Sequence, residues 1–215
     1  MSTLLEDIKK FQESALKEMP AEMLKQMEQA TKELARSDIA KGLTINDQAP
    51  DFTLKDATGT DITLYEELKK GPVIVTFYRG GWCPYCNLEL KAYQQVLNDI
   101  KKAGAQLIAI SPQTPDASLT TKEKNELEFL VLSDPNGNVA ESYKLVFKMP
   151  DYLVEIYKQF GFDIPGHNDH DSWELPVPAT YIIDQSGKIR FASVDPDYTK
   201  REDPSKVVQV LKELD

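Results

Sequence analysis

Cys83 and Cys86 are the 2 cysteines of the 215-residue chain, and they flank a proline and a tyrosine in the segment Cys83-Pro84-Tyr85-Cys86. At the start of a helix this spacing places both thiols on one side of the chain, within reach of a disulfide bond. Thiolate is the reactive form of cysteine, so one thiol can attack an electrophilic sulfur or oxygen and the other can displace the product. The pair therefore predicts a redox centre in which Cys83 attacks and Cys86 resolves.

The surrounding elements are predicted to hold this pair at a strand-to-helix junction. A β-branched and aromatic run from Val73 to Tyr78 is typical of a buried strand, and Gly80-Gly81 ends it. Pro84 suits the first position of a helix, where its missing N–H costs nothing. The next apolar positions recur every three or four residues on one helical face: Cys86, Leu90, Tyr93, Leu97 and Ile100. At such a junction the free backbone N–H groups and the helix dipole stabilise a thiolate, and a cysteine pKa falls from about 8.5 to roughly 3.5–7.5.

A cysteine pair with this spacing is also compatible with a zinc half-site or with two inert core thiols. Zinc needs two more ligands, and the chain's histidines, His167 and His170, lie far downstream in a segment flanked by Gly and Pro. A polar stretch of that kind is typical of a solvated loop without fixed geometry, so we predict no metal site. Redox chemistry needs only the two thiols.

The composition limits the classes of partner. The chain carries 35 Asp and Glu against 25 Lys and Arg, which argues against nucleic acids and anionic membranes as partners. No stretch has the length of a membrane span, and the N-terminus mixes charged with apolar residues, unlike a secretory signal. We therefore expect a cytoplasmic protein, and in a reducing compartment a close cysteine pair is typical of catalysis. The expected chemistry uses no cofactor, only an external thiol reductant.

Residues 1–42 have a different pattern from the rest of the chain. Apolar side chains form one helical stripe from Leu4 to Ala15 and a second from Met23 to Leu34, with Pro20 between them. This pattern predicts a helical hairpin extension. Its stripes must be buried, either on the chain's own domain or in a homodimer contact. Because every residue assigned to the chemistry lies downstream, we expect the dithiol to react without this extension.

Residues 43–215 alternate between predicted strands and helices, which is the pattern of an α/β domain. Near the C-terminus, Asp184-Gln185-Ser186-Gly187 joins two predicted strands and is a strong hairpin signal. Such a hairpin adds an antiparallel edge to the sheet. We predict a central mixed sheet flanked by helices, with the dithiol at the C-terminal end of a central strand.

Three segments of the chain resemble one protein family. They are Ala49-Pro50-Asp51-Phe52, the strand leading into Trp82-Cys83-Pro84-Tyr85-Cys86, and Val177-Pro178-Ala179-Thr180-Tyr181-Ile182-Ile183-Asp184. In order and spacing they are similar to the alkyl hydroperoxide reductase and thiol-specific antioxidant proteins, and within that branch of the thioredoxin fold to the peroxiredoxin-like members. The resemblance spans residues 43–215. It implies a thioredoxin-like fold, a peroxidatic role for Cys83, a resolving role for Cys86, and a cis peptide bond before Pro178, beside the thiols.

The chain departs from this family in the residues that activate the peroxide. The resemblance implies a threonine or serine upstream of the peroxidatic cysteine and an arginine ahead of the strand near Ala179, but Gly80 and Val177-Pro178 stand there. Arg79 is the remaining candidate for the positive charge. The other expected supporting residues are Trp82, which shields the thiols, Tyr85, which is exposed to substrate, and Pro84, which tunes the disulfide.

Two enzymatic functions and one non-enzymatic function remain open at this point. In the first, hydrogen peroxide or an organic hydroperoxide oxidises Cys83 to a sulfenic acid, which Cys86 condenses to a disulfide. In the second, the pair exchanges with protein or glutathione disulfides, because the tetrapeptide is the one that glutaredoxins use. Both need a thioredoxin-, glutaredoxin- or glutathione-type reductant. The third is a redox-responsive binding protein whose disulfide alters an interface without turnover.

Overall fold

Within residues 3–15 and 17–214, the part of the chain that the computed structural model describes, seven strands form one mixed sheet and two more pair separately. The strands are β1 (Thr53–Asp56), β2 (Asp61–Thr63), β3 (Val73–Phe77), β4 (Gln106–Ser111), β5 (Leu130–Ser133), β6 (Val146–Lys148), β7 (Glu174–Pro176), β8 (Ala179–Ile183) and β9 (Ile189–Val194). The helices are α1 (Leu4–Ala15), α2 (Ala21–Arg36), α3 (Leu64–Leu68), α4 (Pro84–Lys102), α5 (Pro115–Lys124), α6 (Asn138–Ser142), α7 (Asp151–Gln159), α8 (Ile164–Asn168) and α9 (Pro204–Lys212).

The order of strands in the large sheet is β2-β1-β5-β4-β3-β8-β9. Strands β3, β4 and β5 are parallel, and β8 runs antiparallel to β3 with Ala179 opposite Phe77. Strand β9 returns antiparallel to β8, which confirms the predicted hairpin. Strand β3 is therefore an interior strand, and its C-terminal end delivers the chain to α4, as the sequence predicts.

Both faces of β3 are buried, and its side chains alternate between two cores. Ile74 packs on the face that α4 and α9 cover, whereas Val73, Val75 and Phe77 pack on the opposite face. Burial on both faces explains why the strand is apolar at almost every position instead of alternating with polar residues. Each fully buried aliphatic side chain contributes about 1.5–3 kcal/mol, so β3 and the helix that follows it are firmly held.

The two N-terminal helices pack on different parts of the same chain. Helix α1 lies on α4, where Leu4 and Ile8 are buried, and α2 lies on α7, where Ala30 is buried. The chain's own domain thus buries part of each predicted apolar stripe, and Met27 and Leu34 are half-buried along a cavity.

Four short elements were not predicted from the sequence: β2, β6, β7 and α8. Helix α8 lies in the segment around His167 that was predicted to be a loop, and it begins after Asp163, whose carboxylate accepts the N–H of Gly166 at 3.1 Å. No group of three or more His, Cys, Asp and Glu side chains among the described residues is arranged to hold a metal ion. Nor is any helix in this part of the chain long and apolar enough to cross a bilayer.

The expectation of a cis peptide bond before Pro178 is wrong, since every peptide bond among the described residues is trans. The chain passes from the end of β7 through Val177 and Pro178 directly into β8, and the Val177 N–H donates to the Leu145 carbonyl at 2.8 Å. This connection needs no tight turn, and trans is the form that X–Pro bonds favour by about 0.5–1 kcal/mol. Pro178 nevertheless lies beside the end of β3 and lines the same cavity as Arg79.

Candidate active site

The segment between β3 and α4 holds both thiols at the edge of the sheet. Cys83 is the N-cap residue of α4, and Pro84 is the first residue of that helix. Gly80 has φ +150°, and a Cβ there would lie 2.3 Å from Trp82 Nε1, so the turn requires glycine. The next backbone N–H, that of Gly81, donates to Gln113 Oε1 at 2.8 Å. The conformation of the loop before Cys83 is therefore fixed by the glycine at position 80 and by the hydrogen bond from Gly81 to Gln113.

Cys83 and Cys86 are both buried free thiols, and their environments separate their pKa values. Burial raises the pKa of Cys83, but the hydrogen bond from Cys86 and the positive charges of Arg79 and Arg201 outweigh burial and lower that pKa to about 6. Burial and the same hydrogen bond, which Cys86 donates, raise the pKa of Cys86 well above its usual value. The arrangement supports Cys83 as the attacking thiolate and Cys86 as a thiol held in reserve.

Arg79 is a buried cation enclosed by aromatic rings. Its guanidinium carbon lies 4.3 Å from the ring centre of Tyr198, 5.2 Å from that of Trp82 and 5.6 Å from that of Tyr157. Nη2 donates to the Tyr157 hydroxyl at 2.6 Å. Nε and Nη1 are buried and have no acceptor among the described residues. A buried donor without an acceptor is costly, so these two nitrogens are suited to hold an oxygen ligand.

Tyr85 is not exposed to substrate, which corrects the expectation from the sequence. It is buried with 6% of its surface accessible, because the rings of Phe11 and Tyr198 pack edge-on against it with centroids at 5.2 and 5.7 Å. Pro84 is the exposed residue of the tetrapeptide, and Trp82 is half-buried beside it. The aromatic contacts join α1, α4 and the loop after β9 around the thiols.

An apolar cleft of 90 Å³ opens over Cys83. Its lining includes Cys83, Arg79 and Trp82, and one wall is formed by residues of the N-terminal extension: Phe11, Ala15, Met19 and Met27. A second apolar cavity, of 230 Å³, lies under α2 and shares Met27, Arg79 and Tyr198 with the cleft. This wall was not predicted, because every site residue expected from the sequence lies downstream of residue 42.

A buried ion pair beside Cys86 was not predicted either. Arg201 Nε lies 2.6 Å from Glu89 Oε2, and Arg201 Nη2 lies 3.5 Å from Cys86 Sγ. Glu89 carried a signal, because it stands three residues after Cys86 on the buried face of α4, where a carboxylate needs a partner. Arg201 carried none, since it follows β9 and is distant in sequence from α4.

The fold and the two thiols of unequal pKa define a dithiol oxidoreductase. The profile of the AhpC/TSA family matches residues 45–192, more than half of the chain, so the chain belongs to that family. This confirms the resemblance and identifies the chain as a thiol-dependent peroxidase of the peroxiredoxin type, an antioxidant oxidoreductase.

Relatives and solved structures agree with this assignment. A Mycobacterium tuberculosis protein that is named as a peroxiredoxin is 29% identical to this chain over 147 residues, which cover 68% of this chain and 82% of that protein. Chloroplastic peroxiredoxin Q of Populus jackii is 33% identical over 143 residues, covering 66% of this chain and 55% of that protein. The crystal structure of peroxidoxin BcpB from Mycobacterium tuberculosis has a TM-score of 0.64 at 20% identity, and covers 80% of this chain and 99% of that chain. The thioredoxin-like fold expected from the sequence is thereby confirmed.

Proposed function

We propose that the Cys83 thiolate reduces organic hydroperoxides bound in the apolar cleft. Cys83 Sγ attacks the terminal oxygen of the hydroperoxide, the O–O bond breaks, and the alkoxide leaves and takes up a proton to become an alcohol. Cys83 becomes a sulfenic acid. Cys86 then attacks the sulfur of this sulfenic acid, which releases water and leaves a Cys83–Cys86 disulfide.

The observation that carries this proposal is the position of Arg79. Arg79 lines both the cleft and the cavity, two of its nitrogens have no acceptor among the described residues, and its charge lowers the pKa of Cys83. A thiolate alone is a poor reductant of peroxides, because the departing oxygen needs donors to stabilise its developing charge. Arg79 supplies those donors in the absence of the expected threonine or serine at Gly80.

The lining of the two cavities favours a substrate with an apolar substituent over hydrogen peroxide. The cavity under α2 is lined chiefly by apolar residues, among them Met27, Leu34, Phe147, Leu153 and Val177. Burial of an apolar group there contributes about 25 cal/mol per Å². An alkyl or aryl group in this cavity would leave the peroxide oxygens near Arg79 and Cys83.

Turnover needs a thiol reductant, and we propose a thioredoxin-, glutaredoxin- or glutathione-type donor. Its thiolate attacks the Cys83–Cys86 disulfide, forms a mixed disulfide, and leaves as its own disulfide when a second thiol attacks. A reducing compartment such as the cytoplasm suits this cycle.

Exchange with disulfides is the second candidate function, and the tetrapeptide Cys-Pro-Tyr-Cys favours it. A competition experiment separates the two candidates. Reduced protein is mixed with equal, excess concentrations of cumene hydroperoxide and glutathione disulfide, and the alcohol and the glutathione formed are measured. Cys83→Ser is the control without a nucleophile. We expect the alcohol to predominate; predominance of glutathione would establish disulfide exchange instead.

A further inference from the structure

The ion pair between Arg201 and Glu89 lies on the Cys86 side of the site. Both side chains are almost fully buried, 3% and 5% exposed, and the guanidinium is further fixed by donating to the carbonyls of Tyr198 and Lys200. Replacing a buried ion pair by apolar residues is often neutral or stabilising, so stability is a weak reason for this pair. Its contact with Cys86 Sγ suggests a part in the chemistry of that thiol.

A polar cavity opens from this pair, separate in character from the apolar cleft over Cys83. It has a volume of 210 Å³, and its lining includes Glu89 and Arg201 together with the hydroxyls of Thr180 and Ser193. A polar space of this size accommodates water molecules. The two thiols therefore have different surroundings: an apolar cleft at Cys83, and a polar cavity large enough for water beside the partners of Cys86.

Cys86 has to lose its proton before it can resolve a sulfenic acid at Cys83. Burial, its hydrogen bond to Cys83 and the charge of Cys83 raise the pKa of this thiol, and the charge of Arg201 and a backbone hydrogen bond from Arg79 oppose them. Glu89 forms an ion pair with the same cation, Arg201. Burial raises the pKa of Glu89 to about 7 in spite of Arg201, so its carboxylate is close to balance with its protonated form at neutral pH.

We propose that Arg201 and Glu89 activate Cys86 for the resolving step: Arg201 binds the Cys86 thiolate, and Glu89, which contacts the same guanidinium, receives the thiol proton. The Cys86 thiolate attacks the Cys83 sulfur, the S–S bond forms and the S–O bond breaks. The departing hydroxide takes up a proton in the cleft at Cys83 and leaves as water, and Glu89 releases its proton to solvent through the polar cavity. This inference rests on the proposed function, which assigns Cys86 the resolving role.

The geometry explains why Cys86 and Glu89 exchange one proton. Both acids contact the same guanidinium, Glu89 at Nε and Cys86 at Nη2, and the buried cation balances one negative charge better than two. Ionisation of one therefore opposes ionisation of the other. The other charged or titratable groups around Cys86 and this pair are Tyr78, Arg79, Cys83, Tyr85, Tyr93, Tyr157, Asp195, Lys200 and Glu202.

The pH dependence of resolution in the unmodified protein is the first test. Reduced protein is mixed with one equivalent of cumene hydroperoxide, and the tryptophan emission is followed in a stopped-flow instrument. The first phase, which depends on peroxide concentration, reports oxidation of Cys83; the second, which does not, reports disulfide formation. We expect the second rate to rise with pH and level off above about pH 7, where Glu89 is ionised. A rise of about tenfold per pH unit up to about pH 9 would show direct loss of the thiol proton to solvent and overturn the proposal.

Variants of the pair are the second test. Glu89→Gln keeps a hydrogen-bond acceptor for Arg201 but cannot receive a proton, so we expect the second phase to slow at least about tenfold and the first to change less than about twofold. Arg201→Lys keeps the positive charge but cannot contact Glu89 and Cys86 through two separate nitrogens. It should therefore also slow the second phase. Arg190→Lys, in an exposed pair with Asp184, is the matched control and should change neither phase.

The outcomes of these tests are distinguishable. If Glu89→Gln leaves the second phase unchanged or makes it faster, Glu89 only opposes the charge of Arg201 and the proposal is wrong. If Glu89→Gln does not fold, the pH dependence of the second phase in the unmodified protein tests the proposal: levelling above about pH 7 supports it, and a continued rise contradicts it. If the unmodified protein shows no first phase, the proposed function fails, and this inference fails with it.

Discussion

Replacing Arg79 with methionine is expected to slow hydroperoxide reduction through two separable effects. The first is on the nucleophile. Burial favours the thiol form of Cys83, and the Cys86 hydrogen bond together with Arg79 and Arg201 brings its pKa down to about 6. A neighbouring opposite charge accounts for about 1–3 pK units, so the pKa of Cys83 should rise to about 7–9 in Arg79→Met. The thiolate fraction at pH 7 then falls from about nine-tenths to between about one-half and one-hundredth.

The second effect is on the transition state. Nε and Nη1 of Arg79 have no acceptor among the described residues and are the donors proposed for the peroxide oxygens. Loss of one preorganised donor typically costs about 10²- to 10³-fold in rate. This part of the slowing should persist when the pH is raised above the new pKa of Cys83, where the thiolate fraction is restored. Exchange with a small disulfide should lose only the first effect.

Two pH series on the same variant measure these effects. Alkylation of Cys83 by iodoacetamide reports the thiolate fraction, and single-turnover reaction with cumene hydroperoxide reports peroxide reduction. Arg190→Met is the control, because it removes an arginine from an exposed ion pair remote from the thiols. If peroxide reduction and disulfide exchange slow equally after correction for thiolate fraction, Arg79 is not a donor to the peroxide and the proposed role is refuted.

Three further predictions concern the thiols and the walls of the site. Treated with hydroperoxide without external thiol, Cys86→Ser should gain one oxygen at Cys83 and react no further, and Cys83→Ser should not react. Intact-mass measurement checks both results. A disulfide-linked product from Cys86→Ser would contradict the resolving role of Cys86. Phe11→Ala removes an aromatic edge contact from the cleft wall, so it should cost about 0.5–1.5 kcal/mol of stability. It should also raise KM for cumene hydroperoxide more than for hydrogen peroxide. Equal changes in the two KM values would contradict the role of Phe11 in binding the apolar part of the substrate. Gly80→Ala places a Cβ 2.3 Å from Trp82 Nε1 at φ +150°, so urea unfolding should show a loss of about 1–3 kcal/mol, and unchanged stability would contradict the described turn.

The features that the sequence predicted correctly depend on local patterns. The junction between β3 and α4 follows from an apolar run, two glycines, a proline at N1 and a helical period, all within neighbouring residues. The hairpin of β8 and β9 follows from its turn residues in the same way. The missed strands β2, β6 and β7 each have three residues, too few for a period of two to be visible.

The features that the sequence could not give are contacts between distant segments. Glu89 meets Arg201 across 112 positions, and Arg79 meets Tyr157 across 78, and no local period encodes either pairing. The N-terminal stripes predicted burial but not the surface that buries them, which is why the cleft wall was missed. The cis bond at Pro178 came from resemblance alone and had no support in the local sequence, where trans is the favoured form.

The rate of the first oxidation tests the central claim most directly. Reduced protein, in excess hydroperoxide, is mixed in a stopped-flow instrument at a pH above the pKa of Cys83, and the second-order rate constants for cumene hydroperoxide and hydrogen peroxide are compared with those of a small free thiol of similar pKa. Because Arg79 and the apolar cleft act on the transition state and on the substituent, we expect both constants to exceed that of the free thiol by at least about 10²-fold, with cumene hydroperoxide the faster. Rates no greater than those of the free thiol would contradict a peroxidase site at Cys83.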